Sequence, residues 1–427
     1  MNLVGLTLAY IRARALNAAL NLVLLALGVA TIVLLLLFSA QLEQRLTRDA
    51  RGIDLVIGAK GSPLQLILSS IYHADFPTGN IPLAEVERWR QHPLVDSAIP
   101  LAMGDNFAGF RIVGTEHGYV EHYGAALAEG RLWQAPFEAT LGASVAAASG
   151  LGVGDRFVGS HGMAGGGAAH AEHPYAVVGT LEPTASVLDR LVLTPVESVW
   201  LVHGMEPHEH PDEASGGAAH DEAEHAEHEE HAEEPAQGGL RGGERALEIT
   251  ALLVHYRSPL GAVQVPRLVN QESALQAASP AFEIARLLSL VGIGADALRG
   301  FGLLLIVTAG LSVFIALSNA MQERRYDLAV MRTLGASRRQ LFTQPLLEGV
   351  LLAGGGALLG VLLGHGVAEA AGRLLAEGRN LGLTGLTWLP EELYVVLLAL
   401  AVGLFSALLP AIQAYRTNIA QVLASRA

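Results

Sequence analysis

Four long apolar runs interrupt an otherwise mixed chain. Leu20–Phe38 carries no charge and only Asn21 near its start, and Phe301–Met321 is uncharged throughout. Pro345–Val367 holds Glu348 and His365 near its two ends, and Leu393–Ile412 is uncharged with Pro410 near its end. A helix needs about 20 mostly apolar residues to cross the hydrocarbon core of a bilayer. The pattern therefore predicts four spans, over residues 18–40, 299–321, 344–368 and 392–413. The first run is longer than the apolar stretch of a secretory leader, and Phe38 stands where cleavage wants a small residue, so an uncleaved anchor is expected.

Residues 41–298 follow another pattern, of short strand-like runs alternating with helical ones. Strands are expected at Ile53–Ile57, Val95–Leu101, Phe107–Val113, Arg156–Val158, Tyr175–Leu181, Val199–Val202 and Leu247–His255, with Gly104-Asp105 as the turn between the second and third. Helices are expected at Leu83–Gln91 behind Pro82, at Gly142–Ser149, and from Ala281–Leu290 into the second span. The fold class is thus a membrane protein with four transmembrane α-helices plus a large extracytoplasmic α+β domain, inserted between the first and second spans. Gln41–Arg51 continues the first run and Leu275–Arg299 leads into the second, which predicts a helical stalk.

Arginine placement orients the spans. Arg12 and Arg14 precede the first; Arg324, Arg325, Arg332, Arg338 and Arg339 lie between the second and third; Arg416 and Arg426 follow the fourth. Residues 1–17, 322–343 and 414–427 are then expected in the cytoplasm. Residues 41–298 and the short loop 369–391 are expected outside, with Arg373 and Arg379 the minority signal.

Gly356, Gly360 and Gly364 recur every four residues in the third span. Such spacing lets helix backbones approach closely in lipid, here at a helix contact or a dimer interface; the alternative is glycine tolerated on a lipid-facing side. Glu348 and His365, each near the end of that span, are read as snorkelling to the interface rather than working within the bilayer.

Composition agrees with a membrane class, at 51% hydrophobic and only 16% charged residues. The net charge of −14 has a local origin, because His203–Pro235 holds twelve Asp and Glu and no Lys or Arg. The rest of the chain is close to neutral, with no basic patch for a nucleic acid. That acidic stretch lies in a polar insert over residues 203–243, which also carries His203, His208, His210, His220, His225, His228 and His231. With almost no large apolar residue it is expected to be a disordered loop. Imidazole and carboxylate together suit zinc, nickel or copper, so it reads either as a weak multi-site zinc buffer or sensor, or as a solvated spacer. A smaller Gly/His patch covers His161–His173. The sequence contains no cysteine, which removes disulfides, thiolate sites and cysteine nucleophiles. Its single lysine, Lys60 in Gly58-Ala59-Lys60-Gly61-Ser62, does not complete a P-loop. No G-x-S-x-G or H-E-x-x-H occurs, and the expectation is a non-catalytic chain.

Gln322–Gln340 reads QERRYDLAVMRTLGASRRQ. Through Arg325, Leu328, Met331, Arg332, Leu334, Gly335, Ala336, Ser337, Arg338, Arg339 and Gln340 it resembles the signature segment of the MacB/FtsX-type permeases of ABC transporters, with Asp327 where the family usually has Glu. Leu8–Arg14 resembles the family's leading amphipathic helix. Leu141–Ala146 with Val153-Gly154-Asp155 resembles its "I-G-x-x-V-A…V-G-D" element, and Pro410–Arg416 its "P-A-x-x-A-x-R" tail.

The resemblance implies a homodimer or heterodimer of permeases in the bacterial inner membrane, both termini cytoplasmic and the large domain periplasmic. It implies a separate cytoplasmic ABC ATPase that binds the ATP, so no cofactor is expected in this chain apart from weak zinc at the His-rich loop. Arg325, Leu328, Met331, Arg332, Leu334, Gly335, Ala336, Ser337 and Arg338 would form the coupling segment. Export, extrusion or lipoprotein release, with a periplasmic adaptor or lipoprotein chaperone as further partner, is the leading expectation. The alternatives are a regulatory module that transmits ATPase motion to a periplasmic enzyme, and a metal-responsive component of zinc homeostasis.

Overall fold

The four apolar runs fold as four long helices in the computed structural model, which describes residues 3–161, 172–205, 247–379 and 383–416. The chain divides into two compact units, Met1–Leu46 with Ala285–Ala427, and Thr47–Ile284. Among the described residues four helices are long and apolar enough to cross a membrane. They cover Ala15–Asp49, Pro280–Glu323, Arg338–Arg379 and Glu391–Tyr415, and a short helix, Leu3–Ala13, precedes the first. At 1.5 Å per residue the second span is about 66 Å long, roughly twice the hydrocarbon thickness, so its helix continues well past the bilayer. It starts at Pro280. Leu275–Ala278, expected to lead into it as helix, is a β-strand instead.

Glycines set how the spans pack. A methyl group added at Gly356 would lie 2.8 Å from Leu25, at Gly360 2.6 Å from Val29, and at Gly364 2.9 Å from Val33. The glycine stripe of the third span thus lies against the first span of the same chain. Gly28 meets Ile306 of the second span, Gly310 meets Val402 of the fourth, and Gly349 and Gly403 bring the third and fourth together. Most of the buried side chains between them are small or β-branched, among them Val29, Val33, Ala309, Ala353, Ala357 and Ala399. A polar link joins the first and second spans: the Ser312 hydroxyl donates to the Asn21 side-chain oxygen at 2.5 Å.

The other unit is built on strands. In chain order they are β1 (Leu55–Ala59), β2 (Ile81–Pro82), β3 (Val95–Phe107), β4 (Phe110–Thr115) and β5 (Leu127–Gly130). There follow β6 (Glu138–Leu141), β7 (Arg156–Phe157), β8 (Ser160–His161), β9 (Tyr175–Leu181) and β10 (Leu191–Thr194). The last are β11 (Glu248–Ile249), β12 (Ala251–Tyr256) and β13 (Leu275–Ala278). The main sheet runs β13-β1-β12-β3-β4-β10-β6-β9-β5, with β7 on β9 and β8 on β3, while β2 and β11 form a separate pair. Among the described strand pairs only β4–β10 and β6–β9 are parallel. A mixed, mainly antiparallel sheet with short helices is an α+β fold. One core gathers Leu55, Ile57, Trp89, Leu252, Val254 and Val265; a second gathers Ile112, Leu141, Phe157, Tyr175 and Val192.

Three further sequence expectations are corrected. Gly104-Asp105 is not a turn. It lies within the 13-residue β3, at an irregularity between Met103 and Asn106. The reversal comes at Ala108-Gly109, where both residues have positive φ, 49° and 86°, as a two-residue hairpin turn requires. The Asn106 side chain accepts from Gly109 N there at 3.2 Å. Val199–Val202 is not a strand but the end of the helix Val196–Val202, with Pro195 as its N-cap. A four-residue apolar run has no decisive period; here Val196, Val199 and Trp200 share the buried side, and Trp200 Nε1 donates to Glu248 O at 2.7 Å. Leu247–His255 is not one strand, because β11 and β12 part at Thr250, whose hydroxyl accepts from Met103 N at 2.9 Å.

Candidate functional site

The polar segment between the second and third spans folds as a short helix, Arg325–Thr333. Its inner face holds Leu328, 1% exposed, and Ala329. Leu328 packs with Met321, Leu341 and Ala414, and Met331 rests against the same cluster. The opposite side presents Arg325, Tyr326 and Asp327 to solvent.

Both ends of this segment are fixed by local chemistry. Gly335 takes φ of +100°, a conformation that costs glycine little. Gly335 N then donates to Arg332 O at 3.1 Å and Ala336 N to Met331 O at 2.9 Å, the paired bonds of a Schellman ending. Ser337 begins the next helix reciprocally: Gln340 N donates to the Ser337 hydroxyl at 3.2 Å, and Ser337 N to Gln340 Oε1 at 2.7 Å. That is a capping box. Arg332 adds a bond to Ala336 O at 2.9 Å. The result is a sharp corner with Leu334 at its tip, 83% exposed.

At the other end Arg324 is buried, its guanidinium 3.6 Å from Glu348 of the third span and 3.7 Å from the Tyr10 ring centroid. Glu348 therefore does not snorkel. It is 6% exposed and turns to an arginine inside the unit, because a buried carboxylate needs a charge partner. Arg14 pairs with Glu323 close by. Beside the corner a small hollow of ≈ 210 Å³ is lined by Arg339, Phe342, Ile412 and Tyr415, with Arg338 over the Tyr415 ring.

The sequence-derived coupling residues thus separate by direction. Arg325, Leu334, Gly335, Ser337 and Arg338 are exposed; Met331, Arg332 and Ala336 are half-buried; Leu328 turns inward as a packing residue. The sequence reading did not single out Arg324's pairing with Glu348, since the two lie on different helices.

At the far end of the third span His365 also turns inward. Its ring nitrogens bond Gly385 O at 2.6 Å and Glu392 Oε2 at 2.9 Å. Glu392 accepts from Leu389 N at 3.0 Å, and Gln41 exchanges two bonds with the Thr384 backbone, at 2.7 and 2.8 Å. Of the histidines read as metal ligands, His208, His210, His220, His225, His228 and His231 lie outside the described residues. His203 is described: it closes the helix Val196–Val202. Two residues on, Met205 is buried in the first core, so the fold extends past the expected start of the polar insert.

Comparison with known families gives two matches. Residues 18–216 match the family described as MacB-like periplasmic core domain, and residues 299–419 match FtsX-like permease C-terminal. Among solved structures, the periplasmic region of MacB from Actinobacillus actinomycetemcomitans is similar at 12% identity and a TM-score of 0.32, over 57% of this chain and 98% of that one. No curated protein sequence matches the chain.

Proposed function

Since the chain belongs to the MacB/FtsX-type family of ABC transporter permeases, we propose that it couples ATP hydrolysis by a separate cytoplasmic ATPase to movement of its large domain, for export, extrusion or lipoprotein release. The observation that carries the coupling is the corner at Leu334. An apolar side chain 83% exposed, on a turn held by a Schellman ending and a capping box, is the kind of rigid apolar anchor that a partner's pocket takes up. Arg325 and Arg338, both exposed on the same segment, supply charge for an acidic rim. Leu328 and the Arg324–Glu348 pair join this segment to the spans, so a push on the corner reaches the third span directly.

The large domain is periplasmic in this reading, both termini are cytoplasmic, and the membrane is the bacterial inner membrane. The permease works as a dimer with two ATPase subunits, and a periplasmic adaptor or lipoprotein chaperone receives the output. The second span, a continuous 44-residue helix, supports transmission of movement beyond the bilayer.

The test is Leu334→Asp in the ATPase–permease complex reconstituted in lipid. ATPase co-purification and permease-stimulated hydrolysis should fall at least about tenfold, the loss of a centrally packed anchor, while membrane insertion stays normal. Unchanged stimulation would remove the corner from the coupling path.

A further inference from the structure

Among the described residues outside the spans, one group of side chains has the composition of a metal site. Asp105, His161 and His203 each offer one ligand atom, and these atoms all lie within 4.8 Å of one another. They come from three elements of the large domain: β3, the end of β8, and the residue closing the helix Val196–Val202. The register of β3 on β8 sets Asp105 directly opposite His161. Asp105 Oδ1 and His161 Nδ1 are 3.2 Å apart.

We infer that Asp105, His161 and His203 form a binding site for a borderline divalent cation of the zinc type, to which this chain gives at least these three ligands. Bonds of about 2.1 Å to a tetrahedral ion place neighbouring ligand atoms about 3.4 Å apart. The Asp105–His161 separation already has that length. The remaining contraction falls to His161, whose side chain is 47% exposed at the end of a two-residue strand. His203 is oriented for ligation: its Nδ1 lies 2.8 Å from Val199 O, and a carbonyl only accepts, so Nδ1 carries the proton and Nε2 is the nitrogen with ligand character. Such a second-shell bond to a backbone carbonyl is how ligating histidines are commonly oriented. A methyl group at position 104 would stand 3.0 Å from the His203 ring, so Gly104 leaves room for it.

Two imidazoles and one carboxylate, with no thiolate, favour zinc, nickel or copper over calcium or magnesium. Two His-bearing stretches of sequence begin at these ligands. The chain after His161 carries His170 and His173, and residues 206–243 carry six further histidines. A cation held here would tie the bases of both stretches to β3. The site does not depend on the permease assignment.

The experiment is zinc chloride titration of the intact detergent-solubilised protein against a competing chelator, with cobalt(II) absorption as a report of geometry. It is repeated on a variant lacking residues 207–243, and on that variant with His161→Ala, with His203→Ala, and with both. Wild type and the shortened protein should each hold one tight zinc ion per chain. The shortened protein should also give the intense visible bands of four-coordinate cobalt. His161→Ala removes an exposed side chain and leaves the fold in place; it should weaken the tight ion at least about a hundredfold, the upper range for even second-shell losses. A shortened protein that binds no zinc would overturn the site. Unchanged affinity in His161→Ala or in the double variant would overturn it equally.

Discussion

His73 shows what burial does to a single titrating group. Its ring nitrogens face Met103 Sδ at 3.2 Å and the Tyr119 hydroxyl at 3.1 Å. Burial excludes the charged ring, and Arg111 and Arg190 repel it further, so its pKa falls to about 3. The unfolded chain would hold this proton below about pH 6.5. Between pH 6.5 and 3 the unfolded state thus binds a proton that the native state does not. The contribution to stability is complete above pH 6.5 and declines as pH falls, by up to about 1.4 kcal/mol per pH unit. His73→Phe should flatten the acid side of the stability profile, read as midpoint temperature against pH from 7.5 to 4.5. Parallel profiles for the two proteins would mean that His73 is not the proton acceptor. Glu138 is the complementary surface case: Arg131 hydrogen-bonds its carboxylate, and Gln134 N and Ala135 N donate to it, so its pKa falls to about 2. Neither partner set was visible in the sequence, because the charge environment of a side chain is assembled by distant segments.

At the scale of elements, the spans pack backbone to backbone. In lipid the apolar effect does not distinguish a neighbouring helix from acyl chains, so close van der Waals contact holds the bundle. Gly360→Leu puts a branched side chain where even a methyl would stand 2.6 Å from Val29, and an overpacked interior typically loses about 1–3 kcal/mol. The detergent-solubilised variant should melt at lower temperature than wild type, whereas Gly366→Ala, with nothing within 4 Å of its added carbon, should melt as wild type does. Equal melting of Gly360→Leu and wild type would contradict the contact between the first and third spans. The four-residue spacing of the glycines was legible in the sequence. Its partner, the first span, was not, because a stripe of small residues fits any helix that offers the matching surface.

For the whole molecule, the placement of positive charges predicts an orientation that labelling can read. The sequence has no cysteine, so one introduced thiol is the sole target for a maleimide. Val263 is 73% exposed on a helix of the large domain, and Thr333 is exposed between the second and third spans. Val263→Cys should react with a membrane-impermeant maleimide in intact cells, and Thr333→Cys only after the membrane is opened. Reaction of both in intact cells, or the reverse order, would invert the topology.

The sequence by itself determined the properties that are local along the chain. Uninterrupted apolar runs commit segments of helix to a bilayer, and they located all four spans together with the large inserted domain. The corner after Arg332 was likewise written locally, since Gly335 supplies the positive φ and Ser337 with Gln340 closes the box three residues on. Short runs such as Val199–Val202 were misread because four residues carry no period, and only the packing of Val196, Val199 and Trp200 makes them a helix. Sheet order, the inward turn of Leu328 and the pairing of Arg324 with Glu348 depended on which segments come together. The meeting of Asp105, His161 and His203 was decided at the same level. A hydrogen-bond register and a packed core place residues far apart in sequence within a few ångströms, and no pattern along the chain encodes that distance.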